Sequence, residues 1–146
     1  MKGAPIFIVY GQPGSGKTTL GKRLAAHLGT PFLIDGDEFR GLTNNQNFSR
    51  GGREANIRTA NVLATYLSLK GFAVVLALVN PYALLRAELA ESNPGQCVEV
   101  LLWSRRDLRR EYHVKDFEKG KPRLELCTDQ PVEVSWRDLE AGVRGV

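Results

Sequence analysis

A single α/β domain, with a parallel five-stranded sheet and helices on both faces, is predicted by three observations. Short apolar runs alternate along the chain with stretches of helical periodicity. The runs are continuously apolar, as strands covered on both faces require. Gly29, Gly71 and Pro81 punctuate the boundaries between them. At 146 residues the chain suffices for one such core and is read as one domain, 1–146.

Residues 5–10 (PIFIVY) form the first strand. The stretch 17–28 (KTTLGKRLAAHL) has apolar residues at helical spacing and ends at Gly29. PFLID, 31–35, is the second strand and runs into Asp35-Gly36-Asp37. Residues 41–52, rich in Gly and Asn, are expected as a loop, and 53–70 as a long helix stopped by Gly71. FAVVLALV, 72–79, is the third strand, and Pro81 opens a helix from Tyr82 to about Ser92. QCVEVLLW, 96–103, is the fourth strand. A basic connection over 104–121 leads to a fifth, RLELC at 123–127, and a last helix covers 131–143.

No apolar run approaches the length of a membrane span. The short apolar start runs at once into a glycine-rich loop, which speaks against a cleaved leader. Cys97 and Cys127 sit inside strands and are expected as buried, reduced thiols. With His27 and His113 they show no metal-ligand spacing, so the chain is read as cytoplasmic and free of zinc. The net charge of +4 and the isoelectric point near 9.3 suit a binder of anions. RRDLRREYHVK concentrates it, with Arg105, Arg106, Arg109, Arg110 and Lys115 close together. Paired with Asp107 and Glu111, these arginines could form a plain solvated face. Alternatively, Arg109 or Arg110 could act on a transferring phosphoryl group.

GQPGSGKTT, 11–19, follows the first strand and opens the first helix. Gly11, Gly14, Gly16, Lys17 and Thr18 fill the pattern G-x-x-x-x-G-K-[ST], with Pro13, Ser15 and Thr19 completing the loop. Its glycines let backbone N–H groups turn toward phosphate oxygens, and the helix adds its positive end. Lys17 is expected on the β- and γ-phosphates of ATP and Thr18 on Mg²⁺. This places the domain among the P-loop nucleotide-binding folds. The third strand leads to Asn80, where motors and switches carry an acid that orients metal and water, so hydrolysis is not the expected reaction. Instead Asp35 and Asp37 end the second strand, at the sheet edge that carries the phosphate loop. There Asp37 can take the proton of an attacking hydroxyl and Asp35 can hold a magnesium water. Arg40, three residues on, shares a helical face with Asp37 and can offset phosphate charge.

The P-loop, IDGDEFR (34–40), FSRGGREANIR (48–58) and VNPYALLRAEL (79–89) come in the order and spacing of adenylylsulfate kinases, which the chain resembles over roughly residues 5–130. That family phosphorylates the ribose 3′-hydroxyl of adenosine phosphosulfate with MgATP. The resemblance implies a catalytic Asp37 with Asp35 nearby, phosphate contacts from Arg40 and Arg53, an amide contact from Asn56, and Phe48 stacked on the acceptor base. It also implies that Asn80-Pro81-Tyr82 replaces the family's S-P-[YF], with Pro81 and Tyr82 on the acceptor side. Gly52 and Ala55 stand where the family has aspartate and glutamate.

The family's long lid is reduced to 104–121. A short, arginine-rich lid implies an open acceptor side suited to a bulky polyanion. Polynucleotide kinases also place an Asp-x-x-Arg after their P-loop. The pattern further resembles short bacteriophage proteins, some of which phosphorylate 5-hydroxymethyluracil within DNA. The expectation is thus a P-loop kinase acting on a nucleotide-like acceptor, preferably a hydroxymethylpyrimidine in DNA, with adenylylsulfate as the alternative. A nucleotide-binding module without catalysis is the reading from another class. Oligomeric state is left open, a homodimer included.

Overall fold

A computed structural model describes residues 3–106 and 108–146. Asp107, the expected partner of the lid arginines, lies outside the described residues, as do residues 1 and 2 of the expected domain. The elements are β1 (Ile6–Tyr10), α1 (Lys17–Leu28), β2 (Leu33–Asp35), α2 (Gly36–Thr43), α3 (Arg50–Leu69), β3 (Val74–Leu78), α4 (Ala83–Ser92), β4 (Cys97–Trp103), β5 (Leu124–Cys127) and α5 (Val132–Val143). A short 3-10 turn, Arg110–Tyr112, lies in the lid.

The five strands form one parallel sheet in the order β2-β3-β1-β4-β5. β1 is central, and all five of its residues are buried. Its side chains alternate between two cores, as the strand period dictates. Phe7 and Val9 pack with Leu20 and Leu24 of α1 and Trp136 and Leu139 of α5. Ile6, Ile8 and Tyr10 pack with Phe39 of α2, Ala60 and Ala64 of α3 and Leu89 of α4. Helices therefore cover both faces, and continuous apolar strands are the consequence. Consecutive parallel strands all leave the sheet at one edge, where β1 gives way to the phosphate loop and β2 to Asp35.

The expected loop over 41–52 is shorter. α2 runs on to Thr43 and ends at Asn44, in the left-handed conformation with φ 54°. α3 begins at Arg50, because the Ser49 hydroxyl accepts the Gly52 N–H at 3.2 Å and caps it. Cys97 and Cys127 are free thiols and are half-buried rather than buried. Among the described residues no helix is long and apolar enough to cross a membrane.

Candidate active site

The phosphate loop connects the centre of the sheet to α1. At Gly11 an added Cβ would meet the Leu102 carbonyl oxygen at 2.3 Å, and at Gly14 it would meet that of Leu108 at 2.9 Å. The loop can thus coil against β4 and the lid only with glycine at these places. Gly16, with φ 93°, stands just before α1. Ser15 is buried, and its carbonyl accepts the Thr128 hydroxyl at 2.9 Å.

Lys17 Nζ donates to the Gln12 carbonyl at 3.0 Å, so the ammonium folds over its own loop. Burial lowers its pKa to about 8, with Arg109 pushing the same way against the pull of Asp37 and Asp35. The Thr18 hydroxyl donates to Asp35 Oδ1 at 2.5 Å. Asp35 Oδ2 accepts the Glu38 N–H at 3.2 Å and caps α2. Asp35 therefore faces the first turn of α1 and also starts the next helix. Asp37, in the first turn of α2, lines the cavity instead.

That cavity, about 990 Å³, is lined by Pro13, Gly14, Gly16, Lys17, Thr18 and Thr19 of the loop and by Asp37, Arg40, Phe48, Arg53 and Asn56 opposite. Such a volume lies at the upper end of ligand pockets, roughly 300–1,000 Å³. Pro81 and Arg109 also line it, and it extends past Thr128, Gln130 and Val132 of the β5–α5 connection. The Arg40 guanidinium lies 4.1 Å from the centre of the Phe48 ring. The same group donates to the Asn45 and Asn47 carbonyls at 3.2 Å each, fixing the 44–49 loop. Phe48 is 58% exposed, so it is not a core residue. Asn56 is buried, and its Oδ1 has no hydrogen-bond partner among the described residues.

Tyr82 departs from its expected place on the acceptor side. It is 1% exposed and stands behind the cavity wall. Its ring supports the Arg50 guanidinium at 4.2 Å, and its hydroxyl accepts from Arg53 at 3.4 Å. The reason is its apolar setting, since Tyr82 packs with Ile57 and Leu85.

The lid departs from the open rim its length implied. Gln12 and Val114 exchange two hydrogen bonds, Nε2 to carbonyl at 2.8 Å and N–H to Oε1 at 2.9 Å. His113 Nε2 lies 3.1 Å from the Pro13 carbonyl. Asp116 pairs with Arg50 at 2.8 Å and Arg53 at 3.9 Å. The strap is thus fastened to the phosphate loop at one end and to α3 at the other. Arg105, Arg106, Arg109 and Arg110 are exposed on the strap, with Arg106 and Arg109 also lining the cavity. Gln12 and His113 carry this arrangement, and no sequence pattern singles them out.

The residues fit ATP and magnesium. The glycines let the loop coil tightly against β4 and the lid, the shape in which its N–H groups can turn toward phosphate oxygens. Thr18 and Asp35 offer the hard oxygen donors Mg²⁺ prefers, few enough to leave the rest to phosphate and water. Among the described residues no group of three or more His, Cys, Asp or Glu side chains is set to hold a metal by itself.

The model of the adenylylsulphate kinase family matches residues 2–121. The chain belongs to the adenylylsulfate kinase family. The adenylyl-sulfate kinase of Myxococcus xanthus is 36% identical over 122 residues, 77% of this chain and 66% of that one. That of Synechococcus sp. (strain JA-2-3B'a(2-13)) is 34% identical over 138 residues, 91% of this chain and 68% of that one. The chain spans 66%, 61% and 59% of the length of three such relatives, less than two thirds of each.

Among solved structures, the APS kinase of Mycobacterium tuberculosis in complex with AMPPNP and APS aligns with a TM-score of 0.78 at 22% identity. It covers 97% of this chain and 98% of that one. A gluconokinase from Sinorhizobium meliloti aligns at 0.69 and 20% identity, over 97% and 93%. Both share the fold. The family part of the sequence reading holds, and none of these relatives is a kinase of DNA bases.

Proposed function

We propose that this member of the adenylylsulfate kinase family transfers the γ-phosphoryl group of ATP to a hydroxyl of adenylylsulfate. The observation that carries this reading is the shared cavity. The phosphate loop forms one side, and Asp37, Arg40, Phe48, Arg53 and Asn56 line the other. The names of the relatives supply the acceptor.

Lys17 and the loop amides hold the donor phosphates, with Arg109 beside Lys17 adding positive charge. Thr18 and Asp35 would hold Mg²⁺, which when bound neutralises charge on the donor phosphates. Asp37 orients the attacking hydroxyl and takes its proton. The new O–P bond forms as the bond from the γ-phosphorus to the bridging oxygen breaks, leaving ADP. Arg40 and Arg53 bind the acceptor's phosphate, Asn56 gives it an amide contact, and Phe48 offers its free face to the base. Tyr82 serves by fixing Arg53.

Incubation with γ-labelled ATP and adenylylsulfate tests the reading. The label is expected on the acceptor's 3′-oxygen. Asp37→Ala should reduce transfer by about 10²–10⁴-fold with ATP binding retained. Retained transfer would remove Asp37 from the chemistry, and lost ATP binding would leave its role structural. The exposed arginines of the lid favour a second acceptor, 5-hydroxymethyluracil in DNA. The fastening of the lid at Asp116 weighs against so bulky a substrate. Label found only in the DNA would overturn the adenylylsulfate reading.

A further inference from the structure

Asn80 follows β3 and lines the cavity at 2% exposure, yet neither Nδ2 nor Oδ1 of its side chain has a hydrogen-bond partner among the described residues. A buried amide normally finds partners, because leaving donor and acceptor unmet is costly. The backbone is also unusual here. Asn80 has φ 49°, in the left-handed region that asparagine tolerates better than most residues.

The surroundings hold this conformation firmly. The Asn80 carbonyl accepts from Arg86 Nη1 at 2.7 Å. Arg86 is itself 1% exposed and is fixed by Glu99 at 2.8 Å, the Glu118 carbonyl at 2.7 Å and the Tyr10 ring at 4.1 Å. On the preceding side, the Val79 carbonyl accepts the Gly11 N–H at 3.3 Å. The pedestal consumes the Asn80 backbone and leaves its amide unused.

The sheet order gives the amide its place. β3 lies between β2, which leads to Asp37, and β1, which leads to the phosphate loop. The end of β3 therefore falls between the acceptor's carboxylate and the donor's cradle. An amide there offers both an NH₂ donor group and a carbonyl acceptor, and cannot take a proton as a carboxylate would.

We infer that Asn80 is a substrate-contacting residue that bridges the two substrates. Its Nδ2 donates to an oxygen of the transferred phosphoryl group, and its Oδ1 accepts from a hydroxyl of the acceptor. The inference rests on the kinase reading above and adds to it a residue that favours a hydroxyl over water as the attacking group.

Asn80→Gly is the sharpest variant, since glycine keeps φ 49° without strain and removes only the amide. It should melt within a few degrees of wild type, while kcat for transfer falls at least about tenfold and the ATP KM changes little. Asn80→Ser, which places the relatives' hydroxyl there, should recover part of the rate. Unchanged transfer in Asn80→Gly would overturn the inference. The Asn80 side-chain NH₂ resonance, assigned by its loss in Asn80→Gly, provides a readout independent of turnover. It should shift when wild-type protein receives AMPPNP and Mg²⁺. If wild type transfers phosphate to neither acceptor, the kinase reading fails, and an unmoved resonance then sinks the role of Asn80 as well.

Discussion

The Thr18 hydroxyl donates to the Asp35 carboxylate at 2.5 Å, joining the first turn of α1 to the end of β2. The second carboxylate oxygen caps α2 at the Glu38 N–H. One side chain thus holds a proposed metal site and a helix start, and substitutions separate the two. Asparagine caps a helix as well as aspartate does but brings no charge. Asp35→Asn should melt like wild type and need about 10–100-fold more Mg²⁺ for half-maximal transfer. Asp35→Ala should in addition lose about 1 kcal/mol of stability. Magnesium titrations and thermal melts read the two effects separately. An unchanged magnesium requirement in both variants would assign Asp35 to the cap alone.

Lys17 sets a pH dependence whose sign follows from its burial. The unfolded chain keeps the Lys17 proton up to about pH 10.5, the folded protein only up to about 8. The unfolded state binds more protons between these values, so stability rises with pH across that window. The penalty of charging Lys17 in the fold is full below about 8 and gone above about 10.5. Nucleotide binding runs the other way, because phosphate needs the charged form. The ATP dissociation constant should rise about tenfold per pH unit once the free protein's Lys17 deprotonates. Calorimetric titration across this range measures it, and in Arg109→Ala the break should move upward. A flat profile would mean that Lys17 is not the phosphate contact.

Gly52 and Ala55 depart from the family in opposite physical ways. A Cβ at Gly52 would lie 2.1 Å from the Asn47 carbonyl oxygen. The Gly52 carbonyl also accepts from Asn45 Nδ2 at 3.2 Å. The glycine is therefore what lets the 44–49 loop lie against α3. Ala55 is exposed on the same helix. Gly52→Asp should cost about 1–3 kcal/mol and, by moving Phe48, raise the acceptor KM. Ala55→Glu should stay within about 0.5 kcal/mol of wild type. Urea unfolding of both compares them directly, and equal stabilities would contradict the packing at Gly52.

These residues also mark where the sequence could be read and where it could not. β1, the phosphate loop and α1 were legible because local rules agree there: a buried β run, a glycine pattern and a helix stopped by Gly29. Asp37 could be placed because parallel strands deliver their ends to one edge. The start of α3 was not legible, since its first turn contains Gly51 and Gly52, and only the Ser49 cap and the contact with Asn47 make it helical. The fastening of the lid was hidden for another reason. Gln12 and Val114 are 102 residues apart in sequence, and neither periodicity nor motif spacing encodes such a pairing. Tyr82 was misplaced because a motif position says which residue is near a site, not which way its ring turns.

Arg86 joins three parts of the molecule that the chemistry needs together. Its guanidinium reaches Glu99 on β4, the Asn80 carbonyl after β3 and the Glu118 carbonyl in the lid, each within 2.8 Å. An added Cβ at Gly120 would come within 2.8 Å of Arg86 Nη2, so the lid is shaped around it. Removing the arginine leaves a carboxylate and two carbonyls without their partner. Arg86→Met, which fills similar space, should therefore cost about 3 kcal/mol or more. Arg86→Lys keeps the charge but cannot serve three acceptors in one plane. It should fold, yet release the Glu118 end of the lid, giving faster amide exchange over 113–119 and a lower kcat. Hydrogen exchange and turnover of the lysine variant decide this. If exchange in that segment stays at the wild-type level while kcat falls, Arg86 acts through Asn80 and not through the lid.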